Sequence, residues 1–149
     1  MKTLLWVSIC ICLITSCRYA YVKDYTGEYN FELYYLEYDS LGVAYATDTL
    51  LCTGTISRYQ EGDEANATTP IESYEIAADE KAWLTISYNN WTVICHVDES
   101  GAIEPYSYGT SYTHSGEFTD DTHILLNTFW GGLGLYENIE VHGEKMLND

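Results

Sequence analysis

Apolar side chains recur at every second position through most of this chain, and that period constrains the fold more than any other feature. Tyr29, Phe31, Leu33 and Tyr35 alternate with Asn30 and Glu32. Leu50, Cys52, Gly54 and Ile56 alternate with Thr53, Thr55 and Ser57. Leu84, Ile86 and Tyr88 share one face of a third run. Period two is the mark of a strand with one buried face. The runs are joined by short turn signals. Asn89-Asn90 separates residues 84–88 from 91–97, and Asn tolerates the positive φ of a tight hairpin. Asp98-Glu99-Ser100-Gly101 ends in glycine, and Thr119-Asp120-Asp121-Thr122 precedes a strand over residues 123–130. Gly131-Gly132 reads as a two-residue hairpin turn into residues 133–142. Residues 36–47 carry no clear period but contain the loop sequence Asp39-Ser40-Leu41-Gly42. Residues 61–70 form an acidic loop or hairpin tip, and residues 71–76 a short edge strand. Successive hairpins favour an antiparallel meander. The expectation is therefore an all-β domain of about eight or nine strands, closed as a small lipocalin-like barrel or packed as a β-sandwich.

Composition agrees. Fifteen tyrosines and frequent Thr, Ile and Val suit pleated, half-buried surfaces. A hydrophobic content of 46% argues against disorder. The formal charge is −17. A surface of that sign repels nucleic acid, whose binding needs Lys and Arg on phosphates. It attracts cations and basic proteins, and it keeps a protein soluble.

The amino terminus carries a different kind of signal. Lys2 precedes an apolar run over residues 4–14 that is interrupted only by Ser8. It is shorter than the ~20 residues a permanent membrane helix needs and has the length of a signal-peptide core. Leu13-Ile14-Thr15-Ser16-Cys17 resembles the bacterial lipobox. That resemblance implies diacylglyceryl transfer to the Cys17 thiol, cleavage before Cys17 and acylation of the new terminus. The chain then divides into a lipoprotein signal peptide (1–16), a lipidated Cys with a short tether (17–25) and a single β domain (26–149). The tether reaches only ~25 Å when extended, which holds the domain close to the membrane. Arg18 replaces the Asp that acts as an inner-membrane retention signal in enteric bacteria, so the expected location is the cell envelope, at the outer membrane.

Further short motifs resemble the small β-rich lipoproteins common in Bacteroidetes. They are the lipobox Cys17, Tyr25-Thr26-Gly27-Glu28-Tyr29-Asn30-Phe31, Gly54-Thr55-Ile56, Leu84-Thr85-Ile86, Gly116-Glu117-Phe118, Gly131-Gly132-Leu133-Gly134 and Val141-His142-Gly143-Glu144-Lys145. This resemblance implies an envelope β domain and brings no activity or site residues with it. Asp39-Ser40-Leu41 and Asp48-Thr49-Leu50 resemble the O-glycosylation acceptors of such envelope proteins, which makes Ser40 and Thr49 candidate acceptors.

No catalytic constellation emerges. There is no Gly-x-Ser-x-Gly elbow, and Gly131-Gly132-x-Gly134 lacks phosphate-loop spacing. His96, His114, His123 and His142 have no His-x-x-x-His spacing, and the acids at 61, 63 and 64 do not match a calcium loop. The chain is read as a non-enzyme with no cofactor and no metal. With Cys10 and Cys12 in the signal and Cys17 lipidated, Cys52 and Cys95 remain. In an exported domain they form one disulfide or stay free as small buried hydrophobes. The aromatics offer the best candidate for function. Trp91, Tyr106, Tyr108, Tyr112 and Trp130 lie in or beside strands, where they either fill the core or form an exposed patch for a glycan or an envelope-protein partner. The leading expectation is a lipid-anchored, non-enzymatic binding or structural lipoprotein. The alternative is an acidic inhibitor or shield against a basic protein such as lysozyme. Lysozyme-inhibiting barrel lipoproteins carry Ser-Gly-x-x-Tyr, of which Ser115-Gly116-Glu117-Phe118 matches only the start.

Overall fold

The computed structural model describes residues 22, 24–68, 82–109, 111–132 and 135–147. The lipobox with Cys17, the expected strand at 71–76 and residues 133–134 lie outside them. Eight strands follow in order: β1 (Gly27–Tyr38), β2 (Ala44–Arg58), β3 (Trp83–Tyr88), β4 (Trp91–His96), β5 (Ala102–Tyr108), β6 (Tyr112–Phe118), β7 (His123–Gly132) and β8 (Leu135–Lys145). They form one antiparallel sheet in the order β4-β3-β2-β1-β8-β7-β6-β5. Successive strands pair except β4 and β5, which form the two edges, and β1 pairs with β8 from Tyr29–Lys145 to Leu36–Asn138. The sheet curls so that its two edge strands meet. A bridge between Val97 and Ile103 links the β4 and β5 sides, and the Asp98 amide donates to the Ala102 carbonyl at 3.0 Å. His96 Nδ1 on β4 lies 3.3 Å from a Glu104 carboxylate oxygen on β5, a contact that is ionic only when the ring is protonated. Its geometry makes no hydrogen bond. The molecule is thus a nearly closed meander barrel, and of the two architectures left open by the sequence it is this one.

The alternating residues point inward as expected. Tyr29, Phe31, Leu33, Ile56, Leu84, Ile86, Tyr88, Val93, Cys95, Val97, Ile124, Leu126, Ile139 and Val141 form one core. An eight-stranded barrel has an interior just wide enough for side chains to fill. Turn chemistry is satisfied locally. Asn89 takes φ +48° and Gly101 φ +87° in the β3–β4 and β4–β5 turns. Asp98 Oδ1 accepts from the backbone of Ser100 and Ala102, and Asp120 Oδ1 from Thr122 and His123.

Two sequence expectations change, and one alternative left open by the sequence is decided. Gly131 and Gly132 do not make a turn; they pair with Tyr136 and Leu135 in the β7–β8 ladder. Residues 36–47 are not irregular, because β1 runs on to Tyr38 and pairs with Ala44, with a bulge between Tyr35 and Leu36. This arm is exposed on both faces, so it carries no apolar alternation. Cys52 and Cys95 are both free. They sit on β2 and β4 with β3 between them, and the structure holds them as core-side apolar groups rather than as a disulfide.

Candidate functional site

Alternating strand direction places the ends of β3, β5 and β7 and the starts of β4 and β6 at the same rim of the barrel. Tyr88, Tyr108 and Trp130 therefore arrive at the rim that Trp91 and Tyr112 leave. The Trp91 and Trp130 rings meet edge-to-face at 5.9 Å. Trp130 meets Tyr112 at 5.9 Å. Tyr112 meets the His114 ring at 5.7 Å, and His114 stacks on Tyr106 at 5.5 Å. Aromatic pairs at these separations are favourable beyond their buried area. The chain of rings runs across β4, β7, β6 and β5, so it spans the seam where β4 and β5 lack a continuous ladder.

Four of the five aromatics singled out from the sequence thus converge, in different roles. Trp130 is 37% exposed and Trp91 is half-buried, so these two offer faces to a ligand. Tyr112 is fully buried and packs against Trp130, its partner across the β6–β7 ladder. Tyr106 is half-buried and also packs on Ile94, beside Tyr59, Ala67 and Trp83. Tyr108 is half exposed, and no ring contact joins it to the cluster. A bulge in β5 explains the position of Tyr106. Ile103 pairs with Gly116 but Tyr106 with His114, so β5 has one extra residue at Glu104-Pro105. Proline is tolerated at such a bulge, where the ladder is already broken.

His114 was not expected at this site, although it stands in phase with Tyr112 and Phe118. It is 2% exposed, and its Nδ1 lies 3.2 Å from the Tyr112 hydroxyl. Burial disfavours the imidazolium and lowers its pKa to about 4. Burial likewise pushes the Tyr112 and Tyr88 hydroxyls well above the ordinary tyrosine value. The Tyr88 hydroxyl makes no hydrogen bond of acceptable geometry. Thr128 is close enough to influence its acidity but donates to the Ile139 carbonyl at 3.4 Å. Neither cysteine resembles a nucleophile. Burial lifts the Cys95 thiol to about 12 and raises Cys52 as well, so neither is a thiolate at neutral pH.

The other sequence candidates are dispersed. His123 is exposed at the start of β7, 3.0 Å from Asp120 in the preceding turn, whose carboxyl the Thr122 hydroxyl and then His123 hold well below the usual range. His142 lies 2.6 Å from Glu140 on the outer face of β8. Among the described residues no three His, Cys, Asp or Glu side chains are grouped to hold a metal ion. Ser40 is exposed in the β1–β2 turn and Thr49 is exposed on β2.

The opposite end of the barrel receives the amino-terminal segment. Val22 is fully buried, and Tyr25 stacks on Phe118, the last residue of β6, at 4.0 Å and 14°. The Tyr29 hydroxyl donates to the Tyr25 carbonyl, and Lys145 Nζ to the Asp24 carbonyl. These contacts close the lower end. The fold and site together define an eight-stranded antiparallel barrel with a plugged base and an aromatic rim. The chain matches no family model and no curated protein sequence.

Proposed function

We propose that this chain is a lipid-anchored, non-enzymatic binding lipoprotein of the cell envelope, of the small β-rich type found in Bacteroidetes, held at the outer membrane through Cys17. One observation carries the binding half. The aromatic rim lies at the end of the barrel opposite to the one where the chain enters from its amino terminus. The strand that separates them, β4, has six residues, which is roughly 20 Å at strand rise. Val22, five residues after Cys17 in the chain, is buried at the base, so a lipid on Cys17 would tether that end and leave the partly exposed Trp91 and Trp130 facing away from the membrane. Flat apolar faces of this kind stack on sugar rings or anchor a peptide or protein partner.

Two tests separate the halves of this reading. Alkynyl fatty acid should label the wild type and not Cys17→Ala; equal labelling would remove the anchor. A soluble form beginning near Lys23, applied to glycan and protein arrays, should give hits that weaken about tenfold or more in Trp130→Ala, as expected when a well-placed aromatic anchor is truncated. Hits that are indifferent to Trp130 and Trp91 would remove the rim. The acidic-shield alternative has its own signature. Its binding should be confined to basic proteins and fall steeply with salt.

A further inference from the structure

The longest strand in the barrel is paired along only part of one side. β2 spans fifteen residues and pairs with β1 from Ala44 to Ile56. Its other neighbour, β3, reaches only Gly54 to Arg58. Among the described residues, residues 44–51 have no strand partner on that side. A row of backbone groups of this length without a strand partner is a template for another chain, and proteins normally blunt such edges with Lys, Pro or bulges. Here the only such feature is the bulge opposite Tyr35 and Leu36. The residues are Ala-Tyr-Ala-Thr-Asp-Thr-Leu-Leu, with a single charge and no Pro or Lys.

A second observation gives the edge a side-chain floor. The half-buried apolar residues packed against the core are Tyr35, Leu50, Cys52 and Trp91. Three of them belong to the β1–β2 pair beside the open edge, and Trp91 opens β4 just past the Asn89-Asn90 turn that ends β3. A strand laid along β2 would place alternate side chains on this floor. Its other side chains would lie on the outer face, where Leu51 is 69% exposed and where Glu32 pairs directly with Leu51 and His142.

We infer that residues 44–51 of β2 receive an extended peptide segment of a partner, added as a ninth strand, with apolar and basic residues in alternation. Backbone pairing supplies the affinity and alternate side chains the selectivity. The basic character follows from charge. Asp48 lies on the edge strand itself, Glu32 and Glu37 stand opposite Leu51 and Tyr45 on the neighbouring β1, and the only Lys or Arg side chains among the described residues are Arg58 and Lys145. A second copy of this chain, itself at −17, would meet like charge at the same place. The inference rests on the binding reading above and names its partner class, but it does not require Trp130.

The test uses the soluble domain and three synthetic probes: acetyl-(Lys-Val)5-amide, its (Glu-Val)5 counterpart, and a (Lys-Val)5 peptide N-methylated at alternate residues. Calorimetry should detect the first probe and not the second. N-methylation should weaken binding by about tenfold or more, one strand hydrogen bond or several. Asp48→Lys, at an exposed position, should weaken it by about tenfold, while Glu99→Gln in the distant β4–β5 turn and Trp130→Ala should not. Amide exchange of residues 44–51 should slow on binding. Equal binding of the acidic probe, indifference to N-methylation or Asp48→Lys, or slowed exchange in the free domain as its own concentration rises would each overturn the inference. Loss of array hits in Trp130→Ala with peptide binding intact would keep both readings. Hits indifferent to Trp130 and Trp91 would remove only the aromatic rim.

Discussion

Replacing Phe31 by alanine should lower the unfolding free energy by about 3–5 kcal/mol, the cost of emptying a large buried aromatic site that cannot fully collapse. The ring is 1% exposed and lies between Tyr29 at 5.7 Å and Tyr88 at 5.3 Å. It also covers two glycines on the flanking strands. A Cβ on Gly143 of β8 would come within 2.6 Å of Phe31 and of Ile124, and one on Gly54 of β2 within 2.9 Å of Phe31. One large ring therefore fills the volume that three neighbouring side chains would otherwise share. Gly143→Ala alone should cost about 1–3 kcal/mol by overpacking. In the Phe31→Ala background the clash with the ring is gone while the one with Ile124 remains, so the same substitution should cost less, a coupling expected between residues in direct contact. Urea melts of the four proteins in this cycle measure that coupling. Strict additivity would mean that Phe31 and Gly143 do not share the space the structure gives them.

That arrangement shows which parts of the fold the sequence declares. Phe31 belongs to the Tyr29–Tyr35 alternation, and the turns around Asn89 and Gly101 follow from residues that accept positive φ. These are local patterns, and reading them needs no partner strand. Barrel closure is not local. It depends on β1 meeting β8, more than a hundred residues away in the chain, and no period in either strand announces that pairing. Gly131-Gly132 has the composition of a hairpin turn yet stays in the ladder, because turn propensity competes with the register fixed by the rest of β7 and β8. Tyr106 reaches its stack on His114 only because the Pro105 bulge rephases β5. A simple alternation from Ile103 would have placed Pro105 on that face. The open edge of β2 is a difference in length between two strands, and the irregular composition of residues 36–47 concealed it. The aromatic types of the site were legible, but which of them are buried was decided by register.

Acidification from pH 7 to pH 5 should remove about 2 kcal/mol of stability through His114 alone. Its pKa in the folded protein is about 4, against about 6.5 in an unfolded chain. Because the folded value is the lower one, the unfolded state binds the extra proton between these limits. The contribution is complete above pH 6.5 and is lost progressively as pH falls towards 4. The cause is burial, between Tyr106 and Tyr112, with no carboxylate among the described residues acting on the ring. The neutral ring suits the site, with Nδ1 sharing a hydrogen bond with the Tyr112 hydroxyl at 3.2 Å. His114→Phe keeps an aromatic ring in the stack but leaves that hydroxyl unpaired, so it should be less stable at pH 7 by about 1–3 kcal/mol. Its stability should nevertheless fall less between pH 7 and pH 5, since every other titrating group is retained. Denaturant melts of both proteins at pH 7, 6 and 5 isolate the difference, and parallel profiles would show that His114 is not held neutral. A spectroscopic reading bears on the rim. Tyr112 packs on Trp130, so protonation of His114 beside it should loosen the Trp91–Trp130 pair. Because the folded-state pKa is about 4, tryptophan fluorescence of the folded wild type should stay nearly constant from pH 7 to 5 and change only as pH falls from 5 towards 4, while that of His114→Phe stays flat there.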